Sequence, residues 1–208
     1  MRPPISRPEL TRRLARLDGF EDPDPAREQV DTPPEAATEL LMEAWARGDL
    51  VDRVVADLGA GPGRLGIGAA LFGARRVLAV ESDRAALAVA ERNAQAEGVR
   101  LELRPGEVGA FTDRVDTVVM NPPFGAQRRH ADRDFWDAAF RCASRASYAF
   151  ALGDSRTFIA RRVVERSVPV VETHPVPWAL TARFRHHRKP SVPLAVDLWV
   201  LGPASEQP

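Results

Sequence analysis

Short apolar runs alternate with amphipathic segments from residue 53 to residue 201. The apolar runs are typical of buried strands, and the segments between several of them repeat apolar residues at helical spacing. The predicted strands are Arg53–Leu58, Arg76–Val80, Val99–Leu103, Val115–Met120, Ser147–Leu152, Val168–Pro175 and Leu194–Leu201. The predicted helices are Leu65–Phe72, Asp83–Glu97, Asp132–Ala146 and Ser155–Arg166. This rhythm predicts an α/β fold with a mostly parallel, helix-covered sheet and an antiparallel ending.

Two further helices are predicted before the first strand. Ser6 and Glu9 have capping-box spacing ahead of leucines at helical intervals, and Thr32 and Glu35 repeat that spacing. A loop rich in proline and acidic residues, 20–31, joins the two helices. We therefore expect an N-terminal helical extension, residues 1–50, and a core, residues 51–203, within one domain overall.

Composition narrows the possible functions. The 208 residues, 44% of them hydrophobic, suffice for one well-cored domain, and 29 basic residues balance 29 acidic ones. Nucleic-acid binding would therefore need local basic patches. The single cysteine, Cys142, excludes an internal disulfide and a cysteine-based zinc site. Because no long apolar run or signal-like start appears, we expect a soluble, cytoplasmic protein without membrane contact.

Glycines and acidic residues follow the first three predicted core strands. Asp57-Leu58-Gly59-Ala60-Gly61-Pro62-Gly63 lies where the first strand meets its helix, the usual ligand position in open α/β sheets. The full dinucleotide pattern is absent, because Arg64 stands three positions after Gly61. Glu81 ends the second strand, where a carboxylate commonly accepts hydrogen bonds from a ribose. Glu107 follows the third strand, and its position suits a ligand contact and a solvated loop acid equally.

Asn121-Pro122-Pro123-Phe124 ends the strand Val115–Met120. The prolines stiffen the loop and fix the carbonyls, so one amide and one aromatic ring are held at its tip. Such a tip can hold a flat, amine-bearing group, and a proline-stiffened turn is the alternative.

Together these motifs resemble class I S-adenosyl-L-methionine-dependent methyltransferases of the amino-methylating kind, whose motif is [DNS]-P-P-[FYW]. More closely, the chain resembles the methyltransferase-like protein 5 family of small-subunit rRNA adenine-N6 methyltransferases. The N-terminal segments 17–21 and 28–32, with Val196-Asp197-Leu198 near the end, make that likeness specific. The resemblance implies a Rossmann-like fold with a seven-stranded, mostly parallel sheet, an antiparallel C-terminal strand and helices on both faces.

The resemblance also implies residue roles. It gives the catalytic motif to Asn121, Pro122, Pro123 and Phe124, with Phe124 stacking on the base. The implied cofactor residues are Gln29, Thr32, Asp57, Gly59, Gly61, Glu81, Ser82, Glu107, Val108 and Asn121. Within that set, Asp57 and the glycine turn would serve the methionine end, Glu81 the ribose and Glu107 the adenine amine. This chain departs from the family in having Glu at 81 and 107, where Asp is commoner, and Val30 between Gln29 and Thr32.

Two basic clusters suggest contacts to RNA phosphates. The candidates are Arg128, Arg129, Arg133, Arg185, His187, Arg188 and Lys189. His186 and His187 lack a matching carboxylate or cysteine set, so no metal is predicted. A base inside a stack cannot reach such a pocket, so the target adenosine should be splayed out or single-stranded.

Three alternatives or additions remain open. A related site can hold a side-chain amide, as in glutamine methylation of a release factor, and the fold can serve as a non-catalytic RNA-binding module. The family resemblance further implies a small zinc-binding activator protein as a possible heterodimer partner that adds a strand to the sheet. Val99, Leu101 and Leu103 alternate on the expected edge strand, which is compatible with that addition and with ordinary burial.

Overall fold

The structure, a computed structural model, describes residues 3–125, 132–178 and 194–204. Its helices are α1 (Arg7–Arg16), α2 (Pro34–Ala46), α3 (Arg64–Leu71), α4 (Arg84–Ala96), α5 (Arg133–Cys142) and α6 (Arg156–Glu165). Its strands are β1 (Val54–Leu58), β2 (Arg76–Glu81), β3 (Glu102–Pro105), β4 (Val115–Met120), β5 (Ala143–Leu152), β6 (Val170–Val176) and β7 (Val196–Leu201). Among the residues described, no helix is long and apolar enough to cross a membrane.

The seven strands form one sheet in the order β3-β2-β1-β4-β5-β7-β6. Neighbours from β3 through β5 pair in parallel, and β7 pairs antiparallel with both β5 and β6. The predicted sheet, with its antiparallel C-terminal strand, is confirmed.

Successive residues of each central strand bury opposite faces of the sheet. Val55 joins a cluster with the leucines of α1 and α2, whereas Ala56 joins a cluster with Trp136 of α5 and Ile159 of α6. Helices therefore cover both faces, and the alternation of period two explains why these strands read as continuous apolar runs.

The largest differences between predicted and observed boundaries concern α5, β5 and β3. The helix predicted to run to Ala146 ends at Cys142, and β5 starts at Ala143 because this segment pairs with β4. The strand predicted from Val99 covers only Glu102–Pro105; Val99 and Leu101 precede it and pack against the core. Asp83, where the second core helix is predicted to begin, is the N-cap of α4, and its side chain accepts hydrogen bonds from the amides of Ala85 and Ala86.

The capping bonds expected from the Ser6 and Thr32 motifs are absent, because neither side chain caps a helix. Ser6 and Ser155 occupy N-cap positions without a side-chain hydrogen bond. Helix α2 begins one residue later than the motif predicts, with Pro33 as its N-cap, since a residue before proline is held in extended conformation. The Thr32 hydroxyl is thereby free to bind elsewhere.

Candidate active site

The carboxyl ends of β1, β2 and β4 lie side by side and border a cavity of about 620 Å³. Open α/β sheets bind ligands at this end of their strands. The cavity is lined by the turn after β1, by acidic residues after β2 and β3, by Asn121 after β4, and by a segment of the N-terminal extension. All ten residues implied as cofactor contacts lie in this lining, so the structure brings them together.

The turn after β1 needs glycine for conformation and for space. Gly59 and Gly61 have φ angles of 69° and 50°, in the left-handed region. A Cβ atom on Gly59 would lie 2.6 Å from Cε1 of Phe135, and one on Gly61 would lie 2.7 Å from Cζ of Phe20. Two aromatic rings therefore pack against the turn and leave no space for a Cβ atom at either glycine.

Asp57 lies at the floor of the cavity and is 1% exposed. Its Oδ2 accepts a hydrogen bond from the Gly66 amide at 2.7 Å. Burial raises the pKa of the Asp57 carboxyl to about 7; the Gly66 bond opposes that rise and the nearby Glu81 charge adds to it. The Asp57 carboxyl therefore titrates near neutral pH.

Glu81 links the glycine turn to the start of α4. One carboxylate oxygen accepts from the Gly61 amide at 3.0 Å, and the other accepts from the Asp83 amide at 2.9 Å. Each oxygen keeps a further lone pair for a ligand. Glu107 precedes a short 3₁₀ helix, Val108–Ala110, and faces the same cavity, as does Ser82.

Gln29 and Thr32 reach the cavity from the extension. The Gln29 side chain donates to Oδ2 of Asp83 at 2.8 Å, and its oxygen accepts from the Asp24 amide at 2.7 Å. Gln29 therefore ties the extension to α4. The Thr32 hydroxyl accepts a hydrogen bond from Nδ2 of Asn121 at 3.0 Å.

Asn121 keeps one acceptor unused. Its Nδ2 is bound to Thr32, whereas its Oδ1 is buried and has no hydrogen-bond partner among the described residues. A buried acceptor without a partner is costly, and a ligand N–H relieves that cost. Pro123 lines the cavity beside it, and Pro122 is buried.

Phe124 does not line the cavity. Its ring meets Trp178 edge-on, with centroids 5.5 Å apart, and Trp178 meets Phe150 in the same way at 5.1 Å. Phe124 is partly exposed, and the predicted stacking on a base stays a prediction.

Of the predicted RNA contacts, only Arg133 lies within the described residues. It lines the cavity, and its Nε is 3.8 Å from a carboxylate oxygen of Asp137. The other predicted RNA contacts lie outside the described residues; they are Arg128, Arg129, Arg185, His187, Arg188 and Lys189. Within residues 3–125, 132–178 and 194–204, no group of three His, Cys, Asp or Glu side chains is placed to hold a metal ion.

Sequence patterns did not identify three residues that lie in or beside the site. Phe135 looks like any apolar position of an amphipathic helix, and Trp178 has no motif around it. Arg64 carried a signal, since it departs from the dinucleotide pattern, and the structure places it in the cavity lining.

Comparison with known proteins agrees with this geometry. The family model described as methyltransferase small domain matches residues 27–147. The zebrafish rRNA N(6)-adenosine-methyltransferase METTL5 is 31% identical over 196 residues, which cover 91% of this chain and 95% of that protein. The chain belongs to the methyltransferase-like protein 5 family.

Two further matches mark the extent of this family relationship. The crystal structure of a candidate RNA methyltransferase from Pyrococcus horikoshii is 37% identical, covers 97% of this chain and 99% of its own, and superposes with a TM-score of 0.89. A release factor glutamine methyltransferase from Bordetella pertussis is 41% identical over 101 residues, which are 45% of this chain and 37% of that protein. The family match spans nearly the whole chain, whereas the glutamine methyltransferase match spans less than half of it.

Proposed function

We propose that this protein transfers a methyl group from S-adenosyl-L-methionine to the exocyclic N6 amine of an adenosine in small-subunit rRNA. The observation that carries the proposal is the buried, unpartnered Oδ1 of Asn121 beside a cavity lined by acidic residues and a glycine turn. Membership of the methyltransferase-like protein 5 family supports the choice of adenine.

The cavity residues fit the proposed cofactor. Gly59 and Gly61 present backbone close to the cavity, and the spare lone pairs of Glu81 suit ribose hydroxyls. Glu107 is a carboxylate acceptor for an adenine amine. When bound, S-adenosyl-L-methionine would supply an electrophilic methyl group on its sulfonium sulfur; the transfer leaves the neutral thioether S-adenosylhomocysteine, and the methylated amine releases one proton.

Asn121 orients the substrate amine. The lone pair of an adenine amine is delocalised into its ring, so the site must align it and favour a pyramidal nitrogen. Oδ1 of Asn121 accepts one amine hydrogen and the Pro122 carbonyl accepts the other. Thr32 fixes which way the Asn121 amide faces, because its hydroxyl holds Nδ2 at 3.0 Å.

We assign RNA contact to the basic residues predicted from the sequence. Arg133 lines the cavity and supplies a guanidinium for a phosphate. Phe124 stacks on the extruded base, with Trp178 packed against its ring. The basic residues at 128–129 and 185–189 are proposed as further phosphate contacts.

Labelled S-adenosyl-L-methionine and unmodified ribosomal RNA test this function. Label should appear in N6-methyladenosine after digestion to nucleosides, and nucleoside mass spectrometry of rRNA from a deletion strain should show the loss of one such residue. A release factor serves as the parallel substrate. Label confined to protein contradicts RNA methylation, and the partial match to a glutamine methyltransferase makes the release factor the relevant protein control.

We also propose a partner and a location. Strand β3 (Glu102–Pro105) lies at one edge of the sheet, where a small zinc-binding activator protein would add a strand. Co-purification from the native host tests this, and a stable, active monomer contradicts it. The proposed location is the cytoplasm, which cell fractionation tests.

A further inference from the structure

Residues 18–31, named here the strap, lie between α1 and α2 and partly line the cavity. Phe20 and residues 26–31 of the strap contribute to the cavity lining. The strap carries no regular structure except one 3₁₀ turn, Pro25–Arg27. Its position therefore depends on side-chain contacts, both at its two ends and within it.

One guanidinium reaches both ends of the strap. On the N-terminal side, Nε of Arg64 donates to the Leu14 carbonyl at 3.2 Å and Nη2 donates to the Leu17 carbonyl at 3.4 Å. On the C-terminal side, Nη1 donates to the Thr32 carbonyl at 2.5 Å. The carbonyls are thus drawn together by one side chain, although Leu17 and Thr32 are separated by the whole strap.

These carbonyls suit a cation because of where they lie. Leu14 is in the last turn of α1 and Leu17 is its C-cap, so their carbonyls lack helical partners and lie at the negative end of the helix dipole. The planar guanidinium offers several N–H groups in fixed directions, which a lysine cannot reproduce.

Arg64 also lines the cavity, next to the glycine turn. Arg64 is the first residue of α3 and directly follows the glycine turn. Thr32, the acceptor of its Nη1, also accepts the hydrogen bond from Nδ2 of Asn121. Arg64 therefore connects the strap, the glycine turn and the amide that faces the substrate amine.

Both ends of the strap have anchors besides Arg64, and the N-terminal ones are more numerous. Asn93 bonds both the backbone N–H and the carbonyl of Asp18, and it also donates to the Pro62 carbonyl at 3.0 Å. At the other end, Arg64 and Asn121 hold Thr32, and Gln29 donates one hydrogen bond to Asp83 at 2.8 Å. Loss of Arg64 should therefore loosen the strap mainly at residues 26–32.

We infer that Arg64 is a positioning residue that holds the strap closed over the cofactor. The inference rests on the proposed cofactor and is independent of the RNA substrate. Arg64→Leu should bind S-adenosylhomocysteine about tenfold more weakly than wild type, equal to about 1.4 kcal/mol, by calorimetry. Arg64→Lys should fall between the two.

The matched control is Arg92→Leu. Arg92 pairs with Glu21 of the strap, but the side chains are 51% and 65% exposed, and such surface pairs contribute little. Arg92→Leu should bind the ligand as wild type does. Equal weakening in Arg64→Leu and Arg92→Leu would overturn the specific role of Arg64.

Limited trypsin digestion reads the strap directly, without ligand. Arg27 is exposed in the strap, and Arg100 is exposed outside it and serves as an internal reference. Cleavage after Arg27 should be about fivefold faster in Arg64→Leu than in wild type, because proteolysis follows local opening. Cleavage after Arg100 should not change, and equal acceleration at both sites would indicate general unfolding and reject the positioning role.

A second ligand separates positioning from direct charge contact. 5′-Methylthioadenosine lacks the amino acid carboxylate of S-adenosylhomocysteine, so it cannot lose a charge contact between that carboxylate and Arg64. If Arg64 acts by holding the strap, Arg64→Leu should lower the affinity for both ligands alike. Weakening confined to S-adenosylhomocysteine, with unchanged cleavage after Arg27, overturns the inference. If Arg64→Leu does not fold, as circular dichroism would show, Arg64→Lys decides by the same two readouts. Absence of binding in wild type would refute the proposed cofactor itself.

Discussion

Replacing Thr32 by valine tests whether the orientation of Asn121 is set from the N-terminal extension. The change keeps the shape of a side chain that is 8% exposed but removes the acceptor of a 3.0 Å hydrogen bond from Nδ2 of Asn121. A net loss of about 1 kcal/mol is expected for one such bond, and the freed amide can then turn its Oδ1 away from the substrate amine. The turnover number should therefore fall about fivefold.

The assay is methyl transfer to rRNA at saturating substrates, with calorimetry of S-adenosylhomocysteine in parallel. Thr32→Ser is the matched control, because it retains the hydroxyl and should keep most of the activity. Turnover in Thr32→Val equal to that of Thr32→Ser would refute the orienting role. A fall in ligand affinity that accounts for the whole loss of activity would place Thr32 in cofactor binding alone.

The remaining predictions concern three residues of the same site. Asn121→Ala should abolish methyl transfer and leave S-adenosylhomocysteine affinity nearly unchanged by calorimetry; a large loss of affinity would contradict the separation of roles. Gly59→Ala should lower the free energy of unfolding by about 1–3 kcal/mol in denaturant titrations, because its φ is 69° and Phe135 lies in the way of a Cβ; an unchanged midpoint would contradict this. Asp57→Asn should remove a pH dependence. The pKa of Asp57 is raised to about 7 in the folded state, so the folded protein binds more protons and its stability falls, by up to about 1.4 kcal/mol per pH unit, as pH rises from about 4 to 7. The same change in the free energy of unfolding with pH in wild type and Asp57→Asn across that range would contradict this prediction.

The central strands could be predicted because their physical signal is strong. Strands buried on both faces need apolar residues throughout, so Val54–Leu58 and Val115–Met120 stand out in the sequence and occur nearly where the pattern predicts them. Local preference misleads at residues 143–146, where two alanines and an arginine favour a helix. These residues join β5 instead, because pairing with β4 decides their conformation.

The site could be predicted to the level of motifs and no further. Asp57, Glu81 and Asn121 end strands that are neighbours in the sheet, which a parallel α/β order implies. The Thr32 hydroxyl illustrates what sequence spacing misses, since a capping-box pattern also fits a residue whose side chain serves the site. The contacts of Arg64 join residues 32 or more positions apart and leave no periodic trace.

The N-terminal extension contributes to folding as well as to the site, which supports one domain overall. Leu10, Leu14, Leu40 and Leu41 of the extension are fully buried in the cluster that contains Val55 and Val119 of the sheet. Burial of each leucine contributes about 1.5–3 kcal/mol, so these four contribute on the order of 10 kcal/mol, similar to the net stability of a whole domain. The predicted division at residue 50 therefore marks a change in the sequence pattern. That the two parts also differ in function stays a prediction. Because Nδ2 of Asn121 in the core donates to the Thr32 hydroxyl in the extension, the packing of the extension against the core also fixes where that hydroxyl lies.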